Sequence, residues 1–257
     1  MSTQDLYAAS AAQVETGDPD RYLAVMAAQP ADRPALLALY AFNLEVARAP
    51  WVTKEPLLAQ MRLQFWRDVV TGETTVFHDT SAALSAVMHE RGLDRALLLR
   101  VIDAREAEIG TNAPFKDDAA LWAYLEGSAG SLLGLAVQAL SGVSAPPAVV
   151  QMGAAQGLAN YLMAVPALEA AGRLPLPDGR PQAVAALAQQ GLTRLATARR
   201  NIRSLPKAAR PALAAAWRAQ PLLKQAATTP ARVAQGQLHQ SEFIRRGSLL
   251  WRATLGY

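Results

Sequence analysis

Three features of this chain predict an all-α fold. Helix start and stop signals recur from one end to the other. Alanine dominates the 51% of residues that are apolar, and alanine is the best intrinsic helix former. No stretch alternates apolar and polar residues long enough to make a half-buried strand.

The elements follow from local chemistry. Asp18-Pro19 opens a helix as cap and first residue and continues through Arg21-Tyr22-Leu23. Asp32 and Pro34 open the next, which stops near Pro50. Thr53 is positioned to cap a third, with Pro56 in its first turn, running past Phe65-Trp66 to Gly72. A shorter helix is expected over 80–92 and another from Asp94 to Gly110, where glycine can take the left-handed C-terminal position. Asp117 opens a long helix ending near Gly142, and Pro146-Pro147 starts the next. Three prolines and Gly179 between Arg173 and Pro181, with Gly172 just ahead, mark the clearest loop. Beyond it, helices are expected at 181–204, 207–219, 221–227 and 231–253. There is no internal repeat, so residues 1–257 read as one helical domain, with the loop at 173–181 leading into a basic C-terminal part.

Composition narrows the chemistry. The absence of cysteine excludes disulfides, thiolate zinc sites and thiol nucleophiles. The first residues, Met1-Ser-Thr-Gln-Asp-Leu-Tyr7, lack the basic region and apolar core of a secretory signal. The longest apolar stretch, after Glu126, is interrupted by glycine and serine and ends by Gly142, which is short for a membrane span. A soluble protein of the bacterial cytoplasm is the expectation. The net charge of +4 hides a division: residues 1–172 carry a balance of −8, whereas residues 173–257 hold 14 Lys/Arg against 2 Asp/Glu. A basic surface of that kind either solvates alanine-rich helices or meets an acidic partner such as anionic lipid. With no zinc-finger spacing or aromatic-basic RNP pattern, nucleic acid is not expected as a partner.

The common catalytic constellations are missing. His78, His89 and His239 have no ligand-spaced companions, and there is no Gly-x-Ser-x-Gly elbow or phosphate-cradling glycine loop. Asp103 and Glu106, at i and i+3, share a helical face but have Arg105 between them. Asp117-Asp118 suits a helix start, where carboxylates favour the dipole and the free N–H groups. Gly127, Ser128, Gly130, Ser131 and Gly134 imply close approach of something to one helix, either a packed neighbour or a long apolar ligand. Residues 241–257 interleave Phe243, Ile244, Leu249, Leu250, Trp251 and Leu255 with Arg245, Arg246 and Arg252. Such a segment is either the last helix of the bundle, packed inward, or an amphipathic helix lying on an anionic membrane.

Three segments carry a resemblance. Gly157-Leu-Ala-Asn-Tyr-Leu-Met-Ala-Val-Pro-Ala-Leu-Glu-Ala-Ala-Gly-Arg-Leu-Pro-Leu-Pro177 is similar to the second signature of the squalene/phytoene synthases, up to its Gly-Arg-x-x-Leu-Pro ending. Tyr40-Ala-Phe-Asn-Leu-Glu-Val-Ala-Arg-Ala-Pro-Trp51 resembles their Tyr-x-Phe-x-Arg-Glu-x-Asp-Asp-x-x-Asp run, and Met61-Arg-Leu-Gln-Phe-Trp-Arg-Asp68 the segment that follows. The Ala-Phe-Asn-x-Glu start, the Met-Arg-x-Gln-Phe-Trp run and Pro166 look most like a degenerate branch of that family serving in mitochondrial complex I assembly, together with its bacterial relatives.

The resemblance implies an isoprenoid synthase fold, a helical bundle around a central cavity. In active members, aspartates on one helical face hold Mg²⁺ against a prenyl diphosphate. Here the aligned positions are Ala47, Arg48 and Trp51 in the first signature and Ala164 and Leu168 in the second, while Leu44 and Met163 stand where arginines are expected. Losing one electrostatic donor of that kind costs about 10²–10³ in rate. No catalytic residue, metal ligand or cofactor is therefore assigned, and Mg²⁺ is expected only of an active prenyltransferase using relocated ligands. Tyr40, Phe42, Asn43, Glu45, Gln64, Gly130, Gly134, Asn160, Met163 and Arg173 are the candidate cavity and ligand-binding residues. The functional expectation is a non-catalytic protein of respiratory complex I assembly, with complex I subunits or assembly intermediates as partners. An isoprenoid or lipid ligand and a peripheral contact with the inner membrane through the basic C-terminal part accompany it. An active prenyltransferase and an isoprenoid carrier are the alternatives.

Overall fold

The computed structural model describes residues 3–74 and 78–255, and side chains from Tyr7 to Trp251 within that range. Every regular element among them is helical. The chain runs α1 (Thr3–Gly17), α2 (Pro19–Met26), α3 (Arg33–Arg48), α4 (Pro56–Thr71), α5 (Asp79–Arg91) and α6 (Arg95–Ala104), the last continued by a 3₁₀ turn over Arg105–Glu108. It continues with α7 (Asp118–Leu125), a π turn over Glu126–Gly130, α8 (Ser131–Ser141), α9 (Pro147–Ala170) and α10 (Pro181–Asn201). A 3₁₀ segment over Lys207–Ala216, α11 (Ala219–Thr228), α12 (Ala231–Ala234) and α13 (Glu242–Leu255) complete it.

The aspartate starts behave as their chemistry requires. Asp18, Asp94 and Asp117 accept from the backbone N–H groups of Arg21, Ala96 and Ala120 at 3.0, 2.8 and 2.8 Å, satisfying donors that the first helical turn leaves open. Gly72, Gly92, Gly110 and Gly142 end their elements with φ between +59° and +85°, the left-handed region that glycine enters without steric cost. Three expectations shift. Thr53 does not cap α4; its hydroxyl accepts from the N–H of Glu55 at 3.1 Å, and Glu55 is the capping residue. The helix expected over 231–253 is broken, because Gly236 takes φ +66° and Leu238 turns into the core. The segment expected as a helix at 207–219 is largely 3₁₀, with Pro211 inside it.

Residues 118–141 form one continuous helix through the π turn, long and apolar enough to cross a bilayer by length and composition. Its apolar faces are taken up instead by protein. Leu132, Leu133, Leu135, Ala136 and Val137 are buried among α3, α6, α9 and the 3₁₀ segment at 207–216. α9 packs on the π turn on one side and on α10 and α11 on the other. α1 lies against α3 and α5. The cluster of small residues accounts for the closeness. A Cβ at Gly130 would stand 2.8 Å from the Val150 carbonyl, and one at Gly153 2.6 Å from that of Ala129. Small residues on both helices let the backbones approach, with hydroxyls closing the widened turn: Ser128 donates to the Tyr124 carbonyl at 2.7 Å and Ser131 to that of Glu126 at 3.2 Å. Gly134 meets Ala145 at an ordinary 3.5 Å.

Candidate functional site

The two signature-like segments end at a common place. α3 unwinds after Arg48, with the Trp51 N–H donating to the Arg48 carbonyl at 2.8 Å, and this turn sends the Trp51 side chain back toward the body. α9 ends at Gly172, whose φ of +80° reverses the chain and brings Arg173 to the same spot. The Arg173 guanidinium lies 3.9 Å from the Trp51 ring centroid, a close cation–π contact. Arg173 also donates to the Glu108 main-chain carbonyl at 2.8 Å. Leu174 N–H donates to the Asn112 carbonyl at 2.7 Å, and the Tyr161 hydroxyl donates to that of Pro175 at 3.0 Å.

Behind Trp51 sits a buried ionic cluster. Glu108, 4% exposed, receives the Trp51 indole N–H on Oε2 at 3.2 Å. Its Oε1 receives the Tyr124 hydroxyl at 2.6 Å and Arg105 Nη1 at 3.2 Å. Arg105 also donates to the Tyr124 hydroxyl oxygen. Phe115 and Tyr161 close one side, their rings 5.0 and 6.1 Å from that of Tyr124. Burial raises the Tyr124 phenol well above its ordinary value, against Arg105 and with Glu108. Burial works against the Arg105 guanidinium, but the phenol and carboxylate beside it more than compensate and leave it above its usual range. Outside this cluster lies a cleft of about 520 Å³, bordered by Trp51, Lys54, Ile109, Asn112, Ala171 and Arg173.

These residues do not suit Mg²⁺, which takes near-octahedral oxygen ligands and keeps several waters. The one buried carboxylate here already accepts three hydrogen bonds, one of them from the Arg105 guanidinium, which stands in for a cation. Ala47, Ala164 and Leu168, all half-buried, bring no oxygen ligand. No group of three acidic or histidine side chains able to hold a metal occurs among the described residues. Asp103 and Glu106 are both taken by Arg67, whose Nη2 lies 2.8 Å from Asp103 Oδ1 and closer still to Glu106.

The centre of the bundle is nearly filled. The space lined by Arg21, Tyr40, Ala129, Leu132, Gly153 and Gln156 measures about 10 Å³, roughly the least that admits a single water molecule. Arg21 lies 5.3 Å from the Tyr40 ring centroid, and burial pushes the Tyr40 phenol up to about 12. Gln156 donates to Asn160 Oδ1 at 2.7 Å, while its own Oε1 is buried with no hydrogen-bond partner.

Of the candidate residues, the structure brings Arg173 to the cluster and Tyr40 to this central space, with Asn160 joined to it through Gln156. Gly130 is part of the close packing that fills it. Phe42 instead packs edge-on against Trp66 at 5.2 Å, and Asn43 is buried in the core. Glu45 accepts from Gln13, tying α3 to α1. Gln64 faces outward on α4, bonded to Asp68 at 2.7 Å, and Met163 is on the surface of α9. Glu108, Arg105 and Tyr124 were not candidates. Their only local signal was an Arg and a Glu three residues apart, and the partners lie 16 to 65 residues away.

The sequence profile of the squalene/phytoene synthase family matches residues 14–236, and the chain belongs to that family. Among curated proteins it is similar to complex I assembly factor 6. The rat protein is 32% identical over 134 residues, which are 50% of this chain and 40% of the relative. The Drosophila melanogaster homolog is 32% identical over 175 residues, 64% of this chain and 51% of the relative. The chain thus spans about half the length of these relatives or less. Two solved structures share the fold. A ligand-bound dehydrosqualene synthase superposes with a TM-score of 0.77 at 18% identity, covering 98% of this chain and 96% of that one. The squalene synthase HpnC of Alicyclobacillus acidocaldarius gives 0.65 at 15% identity, covering 99% and 97%.

Proposed function

We propose that this chain is a non-catalytic squalene/phytoene synthase relative acting in the assembly of respiratory complex I. The observation that carries the first half is the Glu108 cluster. Where the signatures converge, Trp51 and Arg173 are turned onto each other, Trp51 onto the Glu108 carboxylate and Arg173 onto its main-chain carbonyl, and the carboxylate is occupied by three donors. Ionising a prenyl diphosphate requires divalent cations between carboxylates and phosphate oxygens, and no carboxylate here is free to hold one. The second half is supported by the likeness to assembly factor 6 of rat and fly. An isoprenoid ligand at the space between Tyr40 and Gln156 would need the helices around it to separate, since that space measures about 10 Å³. The setting that fits is the cytoplasmic side of a bacterial inner membrane, with the protein soluble or peripheral.

Two measurements test this reading. Incubation with farnesyl or geranylgeranyl diphosphate and Mg²⁺ should release no pyrophosphate above background; steady turnover would establish an enzyme. Tagged protein isolated from the native organism should bring down complex I subunits, and deletion of its gene should lower NADH:quinone activity. Unchanged complex I in the deletion strain would rule the assembly role out.

A further inference from the structure

α13 turns its apolar stripe away from the protein. At about 100° per residue, positions 243, 244, 247, 250 and 251 fall within one third of the helix circumference. They carry Phe243, Ile244, Gly247, Leu250 and Trp251, and the four large side chains are 88%, 57%, 66% and 68% exposed. The opposite face anchors the helix. Leu249 is buried against Ala24, Ala214 and Trp217, and Arg245 Nη1 lies 3.5 Å from Asp20 Oδ1. Asp20 also pairs with Arg218, whose Nε donates to Gln240 at 3.2 Å just ahead of the helix. The helix is held by Leu249 and its ion pairs and shows its other large apolar residues to the outside, the reverse of a bundle helix.

The geometry points to α13 as a docking helix for an anionic lipid surface, lying in the interface plane with Phe243, Ile244, Leu250 and Trp251 in the acyl boundary. Charge selects this occupant. The part of the chain to which α13 belongs holds 14 Lys/Arg against 2 Asp/Glu over residues 173–257, and such a surface is drawn to acidic headgroups. Arg246 borders the stripe with its side chain 72% exposed, in a solvent-exposed ion pair with Glu242 at 3.2 Å that an acidic headgroup can replace. Arg203 and Lys207, both exposed, lead into the 3₁₀ segment that α13 packs on. With 14 residues, the helix is about 21 Å long, too short to span a bilayer and suited to lying along one. Shape agrees: a stripe along one protruding helix meets a flat boundary along its whole length. The inference deepens the peripheral setting proposed above and rests on it.

The test uses the purified full chain and sedimentation with vesicles of phosphatidylcholine alone or with one-third phosphatidylglycerol. The expected result is binding to the anionic vesicles, weakened by salt and much reduced on the neutral ones. The double variant Phe243→Ser/Trp251→Ser should lower partitioning at least about ten-fold, since each side chain gives up most of its transfer into the acyl boundary. Arg246→Gln should lower it about five-fold at low salt. Both variants alter exposed side chains, so circular dichroism and thermal midpoints should match the parent. No parent binding to anionic vesicles overturns the inference, as does equal binding by the double variant. A parent dimer that the double variant abolishes would overturn it in favour of a second copy on this face. None of these outcomes depends on complex I, so co-purification with its subunits could succeed while vesicle binding fails, or the reverse.

Discussion

Replacing Glu108 by alanine is the sharpest probe of the cluster beneath Trp51. The carboxylate compensates Arg105, whose side chain is only 14% exposed, and accepts from Tyr124 and Trp51 as well. Breaking a buried pair by removing one partner costs about 3–5 kcal/mol, because the remaining charge stays buried without compensation. For 257 residues, an unfolding entropy of about 2.1 cal/mol/K per residue sums to about 0.5 kcal/mol/K. The expected fall in Tm is therefore about 6–10 °C, read by circular dichroism at fixed pH and salt. Glu108→Gln keeps an acceptor in place but loses the charge, and should cost about half as much. Trp51→Phe removes one hydrogen bond from the open side and should cost about 1 kcal/mol, or about 2 °C. A drop of less than about 2 °C for Glu108→Ala would mean that Arg105 finds water when its partner goes. The cluster would then be a solvated ion pair, and the argument that it closes the site would fail.

Two further perturbations test the packing around it. Gly153→Ala and Gly247→Ala make the same chemical change on two helices and should have opposite signs. The new Cβ at Gly153 would lie 2.6 Å from a backbone carbonyl and 2.8 Å from a backbone Cα, an overpacking cost of about 1–3 kcal/mol or more that outweighs the helix-propensity gain. At Gly247 nothing lies within 4 Å, so up to about 1 kcal/mol of propensity is gained. Chemical denaturation of both variants checks the pair, and equal signs would refute the close approach of α9. Tyr40 predicts an alkaline limb. Its folded value of about 12 exceeds the ordinary 10.0, so the unfolded chain releases its proton first and stability falls as pH rises from 10 toward 12. The slope contributed is up to about 1.4 kcal/mol per pH unit. Tyr40→Phe should flatten that limb, and an unchanged slope would show that the phenol is not buried as described.

What could be read from the sequence follows from how far each interaction reaches. The starts at Asp18, Asp94 and Asp117 are visible because a carboxylate satisfies N–H groups two or three residues away. α1 is not among the expected helices, although Asp5 lies in its first turn and Gly17 ends it; it is held by α3 and α5. The break between α12 and α13 is a contest between helical continuation and the burial of Leu238, which tertiary packing decides. That Ala47, Trp51, Ala164 and Leu168 are not acidic is legible in the sequence. What surrounds them in space is not. Trp51, the Arg105–Glu108 turn, Tyr124 and Arg173 come from four separate stretches of chain and acquire meaning only when α3, the 3₁₀ turn, α7 and α9 come together.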